Sequence, residues 1–479
     1  MRLTNRRFST FLGNALPSKK KGFIFMSQLL YLRTFSTHTS YLRSSWQAIL
    51  NYKYIYQNAE AVQRNCINRN LQAIAETVPK IRSLIDEKES LKNEFFPLLS
   101  LKKEITLQIE RCSDPNERGK LVNEAKGLKK KTEEYNKIIS KVTNDLYQYC
   151  LAVPNTTLPT VPVGPEDKAV VVQKIGSPLV KKTGSLKDHL QIANEGINLE
   201  DAAQASGHSF CYTTGDIALL EMAITNYAMD FAISKGWCPV IPPTIVRTDI
   251  ALACGFQPRD EEGQQIYELD SYTSPLVSSP KQCLIGTAEI SLAALGFKKT
   301  FNNFTERKVV GVSRAYRREA GARGKENRGL YRLHEFTKVE LFAWTHPSRS
   351  SEMFNEIVNF QKEFVETLKI PARILNMPTA ELGSSASQKY DIEAWMPARQ
   401  SYGEITSASN CLEYQARRLL TRYRNDKDSG FVHTLNGTAA AIPRLIIAIL
   451  ENHQQEDGTV KVPETLVPYI HKEYLFKAK

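Results

Sequence analysis

The sequence predicts an α+β chain: an antiparallel helical hairpin near the N-terminus, then a domain built on an antiparallel β-sheet flanked by helices. Three observations carry this reading. Leu121, Ala125, Leu128, Thr132, Tyr135, Ile139, Val142, Leu146 and Tyr149 alternate spacings of four and three, the period of a coiled-coil seam. Residues 311–344, GVSRAYRREAGARGKENRGLYRLHEFTKVELFAW, read as a strand ending in Arg317-Arg318-Glu319, a Gly-rich charged loop and a returning strand that carries Arg332, Phe336 and Glu340. Pro154, Pro159, Pro162, Pro165 and Pro178 interrupt a polar stretch between the two patterns. A chain of 479 residues has room for two or three domains, and 42% hydrophobic content is ordinary for a soluble globular protein.

Residues 1–45 form the first segment. Of the net charge of +12, nine positive charges lie between Met1 and Ala59, where there is no Asp or Glu, so the remainder is nearly neutral. Arg, Ser and Thr with scattered Leu and Phe are what a mitochondrial presequence looks like, and Arg33-Thr34-Phe35-Ser36 resembles a matrix-protease site. The competing reading is a basic arm that binds RNA. Met26 is a possible second start that still leaves Arg33, Arg43 and no acid before residue 45. No apolar run approaches the roughly 20 residues of a membrane span, so no membrane partner is expected.

Residues 46–150 follow as a helical arm with a small helical cap at 51–90. Ile81, Leu84, Leu91, Phe95, Leu98, Ile105 and Ile109 make a second seam, interrupted by Lys88 and Lys102. Cys112-Ser113-Asp114-Pro115-Asn116 reads as the turn between two helices of about 30 residues, each roughly 45 Å long. Pro97 lies inside the first helix and predicts a kink. Lys126, Lys129, Lys130, Lys131, Lys137 and Lys141 suit phosphate contacts, though a solvated helix face explains them equally well.

Residues 151–205 hold a linker and the start of the β-rich domain, whose main body spans 206–479. Its first helix is built on Leu219, Leu220, Met222, Ala223, Tyr227 and Phe231. Residues 236–250, GWCPVIPPTIVRTDI, place Pro242 and Pro243 in an apolar run, which suggests an edge strand. The eight cysteines never form C-x-x-C, which disfavours zinc ribbons and structural disulfides.

The run RREAGA…NRGLYR, followed by HEF and KVE, resembles motif 2 of class II aminoacyl-tRNA synthetases in its seryl-tRNA synthetase version. Three further stretches resemble the same family in order: IGTAEIS at 285–291, YGEITSASNCLEYQARR at 402–418, and a motif 3-like strand and helix from 433 to 470. The likeness covers about residues 51–470, and implies a class II catalytic domain with motif 1 at 236–250, mitochondrial in type, and a homodimer. It implies that serine is activated with ATP to seryl-adenylate and passed to the 3′-OH of the terminal adenosine of mitochondrial tRNA(Ser), for organellar translation. The arm would grip the elbow and long variable arm of the tRNA, and Arg323 is a candidate acceptor-stem contact.

The resemblance also implies site roles. Arg317 and Arg444 are the candidate catalytic residues, and Arg317 would bridge the serine carboxylate and the ATP α-phosphate. A planar guanidinium suits both oxyanions. Arg444 follows Pro443 at the positive end of an apolar helix. Thr287, Ala288 and Glu289 would bind serine through its amino group, while Glu340 and Thr438 would read its hydroxyl. A site needing that hydroxyl rejects alanine by roughly 10⁴ or more, because buried polar groups would be left unpaired. ATP would further meet Arg318, Glu319, Leu333, His334, Glu335, Phe336, Glu404, Ile405, Thr406 and Ser407, with Glu319 on the adenine amino group and Phe336 under the ring. Glu404 and Ser407 would hold Mg²⁺, a hard cation that takes oxygen ligands beside phosphate. His208 and His334 read as structural, since the chemistry needs no base. Departures from the family are Gly286 before Thr-Ala-Glu, Tyr316 for Phe, and three alanines after Thr438, which predict crowding near ATP. The alternatives are a paralogue that has lost catalysis and a class II enzyme of different amino acid specificity.

Overall fold

The computed structural model describes residues 46–178, 186–256, 266–269, 280–319 and 329–476. The proposed presequence, its cleavage site and Arg323 lie outside them. Three short helices, α1 (Tyr52–Gln57), α2 (Ala59–Asn68) and α3 (Gln72–Ala75), precede the two long ones, α4 (Val78–Arg111) and α5 (Pro115–Ala152). At 34 and 38 residues these exceed the expected 30, giving arms of roughly 51 and 57 Å at 1.5 Å per residue. Every member of both expected seams is buried or half-buried, and Lys88 and Lys102 occupy their seam positions half-buried. Burial, then Lys92, lowers the Lys88 pKa. The turn forms where expected because Asp114 Oδ1 accepts from the Asn116 and Glu117 amides at 2.7 and 3.3 Å, with Pro115 at the first helical position. Helix α4 continues across Pro97. That residue faces solvent, where the carbonyl deprived of its N–H partner is open to water.

Eight strands make the central sheet: β1 (Val170–Ile175), β2 (Cys238–Val240), β3 (Glu306–Tyr316), β4 (Glu335–Thr345), β5 (Ala372–Asn376), β6 (Gln388–Met396), β7 (Ser401–Asn410) and β8 (His433–Ala441). Their order is β1-β5-β6-β7-β8-β4-β3-β2. All neighbours are antiparallel except β2, which runs parallel to β3. The edge strand expected over 236–250 is real but only three residues long. Pro239 lies inside it opposite Val310, as a proline can on an edge strand, and Pro242 and Pro243 fall beyond its end.

Helices α6 (His189–Ala193), α7 (Gly215–Ser234), α8 (Glu289–Ala294), α9 (Ser350–Thr367) and α10 (Ile442–His453) complete the elements used below. Side chains of α7, α9 and α10 cover one sheet face: Ile217, Leu220 and Ile224, then Ile357 and Phe364, then Leu445 and Ile449, pack in one cluster with Val339, Leu341 and Ala343 of β4. Alternation then sends Phe336, Lys338 and Glu340 of β4 to the other face. The expectation that no segment approaches a membrane span needs one correction, because α7 has the length and apolar composition of one. Its apolarity answers to sheet packing, since Ile217, Leu220, Ala223, Ile224, Ala228 and Ala232 are buried in the core.

Candidate active site

Motif 2 is the β3–β4 pair, in register from Tyr316 opposite Glu335 to Glu306 opposite Thr345. Two details differ from the sequence reading. Strand β3 ends at Tyr316, and Glu319, expected in the strand, has a φ of +40° that takes the chain out of it. Arg332, expected on the returning strand, precedes β4 and follows a 3₁₀ turn at Gly329–Tyr331.

A cleft open to solvent lies where β7, β8 and the end of motif 2 meet. Arg317, Glu319, Leu333, Phe336, Glu404, Ile405, Thr406, Ser407, Thr438 and Arg444 line it, as do Leu330, Tyr331 and Arg332. The Arg317 guanidinium carbon stands 5.3 Å from the Phe336 ring centroid, and its Nε donates to the Gly286 carbonyl at 3.3 Å. Arg444, in the first turn of α10, donates through Nη1 to the Glu404 carbonyl at 2.8 Å and to its Oε2 at 3.1 Å. Burial opposes charge on Glu404, but Arg444, Lys389 and Arg317 outweigh it and hold the carboxyl below its usual range. Both arginines therefore act on one carboxylate.

Two bulges shape this face. At Ile405 one extra residue enters β7, so Glu404 and Ser407, three apart, share a face as two hard oxygens. At Ala439 another enters β8 and leaves Glu340 directly opposite Thr438. Of the three alanines expected to crowd ATP, Ala439 and Ala440 are core residues and only Ala441 reaches the cleft wall.

Thr287, Ala288, Glu289 and Glu340 form a deeper group, all buried. The Tyr316 amide donates to the Ile285 carbonyl at 2.8 Å and fixes their loop against motif 2. Burial first, and Glu340 second, push the Glu289 carboxyl up to about 7, while Gln415 and Asn436 donate to its Oε1 at 2.6 and 2.9 Å. Arg318, His334 and Glu335 lie beside the cleft. His334 Nδ1 meets the Tyr267 hydroxyl at 2.9 Å and the Arg317 carbonyl at 2.8 Å, and Glu335 pairs with Arg314 at 3.0 Å.

Lys338 is the residue the sequence reading missed. Its buried Nζ lies 2.6 Å from Glu340 Oε2 and 3.1 Å from Thr287 Oγ1, joining β4 to the loop that carries Thr287. The signal was present, since Lys338 sits between Phe336 and Glu340 on the same alternating face. Gln415 and Asn436 had no such signal.

Residues 277–453 match the tRNA synthetase class II core domain (G, H, P, S and T), and residues 49–157 match the seryl-tRNA synthetase N-terminal domain. A serine–tRNA ligase of Rubrobacter xylanophilus is 38% identical over 435 residues, covering 90% of this chain and all of that one. The chain belongs to the class II seryl-tRNA synthetases. Among seryl-tRNA synthetases, the mitochondrial serine–tRNA ligase of Saccharomyces cerevisiae is 39% identical over 437 residues, covering 89% of this chain and 93% of that one. The seryl-tRNA synthetase of Pyrococcus horikoshii, solved with ATP, superposes with a TM-score of 0.82 at 32% identity over 90% of this chain and all of that one. The cytoplasmic enzyme of Naegleria fowleri, solved with AMP, gives 0.79 at 26% identity over 91% of this chain and all of that one. This seryl-tRNA synthetase is accordingly an aminoacyl-tRNA ligase, specifically a serine–tRNA ligase, with the antiparallel-rich sheet and long helical arm of its family.

Proposed function

We propose that this ligase works in the mitochondrial matrix as a homodimer, charging mitochondrial tRNA(Ser) for organellar translation. The observation that carries the location is the acid-free, nine-cation stretch from Met1 to Ala59, and the likeness to the yeast mitochondrial enzyme supports it. The domain plan follows: presequence 1–45, tRNA-gripping arm 46–150, linker and start of the catalytic domain 151–205, class II catalytic domain 206–479.

Serine docks with its ammonium at Thr287, Ala288 and Glu289 and its hydroxyl at Glu340 and Thr438. ATP lies across Arg317, Phe336 and Arg444, with the Glu319 carboxylate at the adenine amino group. A serine carboxylate oxygen attacks the α-phosphorus in line, the bond to the β-phosphate bridging oxygen breaks, and pyrophosphate leaves. The 3′-hydroxyl oxygen of the terminal ribose then attacks the acyl carbon, its proton passes to a non-bridging oxygen of the adenylate phosphate, the bond from the acyl carbon to the phosphate oxygen breaks, and AMP leaves. Arg317 and Arg444 orient the reactants and neutralise charge, which suffices for phosphoryl transfer without a protein base. Glu404 and Ser407 present the hard oxygens that fit Mg²⁺, which supplies further charge neutralisation when it arrives with ATP.

The test is aminoacylation of mitochondrial RNA by purified protein with serine, threonine and alanine in turn. Charging with serine alone is expected. No charging would support the inactive paralogue, and charging with another amino acid would reassign specificity. Import of a reporter fused to residues 1–45 tests location, and a cytosolic reporter overturns it.

A further inference from the structure

The wall of the cleft at Leu330–Leu333 is held from behind by a residue outside the three motifs. His189 opens α6, where Asp188 and Gln191 form a reciprocal capping box. Its ring is 3% exposed. Nε2 accepts from the Leu330 amide at 3.3 Å, and Nδ1 lies 3.5 Å from Glu451 Oε1. Because Nε2 accepts, the ring proton belongs on Nδ1, facing that carboxylate. Glu451 is equally buried and is fixed in turn, since its Oε2 accepts from the Ala398 amide at 3.0 Å. It lies on α10, the helix that carries Arg444.

The turn is shaped for this ring. Gly329 has a φ of +71°, and a Cβ there would overlap Nε2 of His189. Tyr331 meets the imidazole edge-on at 5.4 Å, and the Arg399 guanidinium lies 4.6 Å from the Tyr331 ring centroid. One imidazole thus joins the amide of a cleft-wall turn to the helix bearing a candidate phosphate-binding arginine.

We propose that His189 is a positioning residue for the nucleotide half of the site, fixing the Leu330–Leu333 wall against α10 so that ATP meets a preformed surface. This rests on the serine–tRNA ligase reading. Two shapes of amide separate the two ends of the ring: Gln places a polar atom near Nε2, toward Leu330, whereas Asn places one near Nδ1, toward Glu451, whose Oε1 also accepts from the His189 main-chain amide at 3.4 Å.

Serine-dependent ATP–pyrophosphate exchange by the full chain tests the proposal. If wild-type protein gives no exchange, the ligase reading fails, independently of His189. With exchange established, His189→Asn raises KM for ATP by about tenfold, the scale of one buried hydrogen bond, and leaves KM for serine unchanged. His189→Gln restores KM for ATP to near the wild-type value. Equal behaviour of the two variants, or a fall in kcat with KM for ATP unchanged, overturns the proposal and leaves a scaffold role. Should His189→Asn fail to fold, Gly329→Ala carries the test, because it displaces the turn and leaves Glu451 untouched. Its KM for ATP rises on the proposal, and an unchanged value overturns it.

Discussion

Arg317 and Glu289 show how neighbouring side chains divide labour by environment. Arg317 is half-buried on an aromatic face. Its replacement by alanine removes charge where charge develops, so Arg317→Ala lowers exchange by about a thousandfold or more, with the melting temperature near that of wild type. Exchange at a near-normal rate would remove Arg317 from the mechanism. Glu289 does titrate. Its carboxyl, pushed up to about 7, must ionise to receive an ammonium group, so KM for serine rises as pH falls below about 7 and levels off above it. Glu289→Gln flattens that profile. The stability sign is opposite: the native state holds this proton more tightly than the unfolded chain does, so the group's contribution is fully present below the unfolded value near 4.5 and is lost as pH rises through about 7. Melting curves of wild type and Glu289→Gln should therefore converge at pH 5 and separate at pH 8. At this scale the sequence was readable where a short motif names its residues, as at Arg317 and Glu340. It was silent on Gln415 and Asn436, whose donors reach Glu289 from 126 and 147 residues away.

Strand defects are the lesson among the elements. The hairpin of motif 2 and both arm helices were legible because alternation and heptads repeat over many residues. The bulges at Ile405 and Ala439 were not, since one extra residue leaves no periodic trace, yet they set which side chains share the cleft face. Nor was the buried amide of Gln361, which donates to the Ser407 and Thr438 carbonyls at 2.7 and 2.9 Å, holding β7 and β8 together beneath the site. Gly437 belongs to the same splice, because a Cβ there would overlap Ile357 of α9. Gly437→Ala should destabilise by about 1–3 kcal/mol in denaturant titrations, through overpacking. Ile357→Ala should cost less in that background than alone, and additive effects would show that the two do not meet.

At the scale of the molecule, polar contacts tie both the arm, at Asn68, and the segment after it, at Asn155, to the catalytic domain. Asn155 Nδ2 donates to the Ser385 and Cys411 carbonyls, both at 2.8 Å, and Thr379 Oγ1 donates to the Asn68 carbonyl at 2.5 Å. Composition foretold two parts but not how they join, because these bonds link residues hundreds of positions apart. Met222 on α7 and Ile241 just beyond β2 are 61% and 90% exposed, apolar surface open to a partner. If the proposed homodimer uses it, Met222→Arg with Ile241→Asp yields monomers by sedimentation and lowers aminoacylation, whereas an unchanged mass would place the contact elsewhere.

Cys238 lies on the β2 edge, exposed, while the other seven thiols are buried or partly covered. Chemistry thus supplies a ready ruler. A maleimide spin label would fall first on this sulfur, and in the proposed homodimer the echo between two labels would measure how far apart the copies stand, with no engineered attachment point needed.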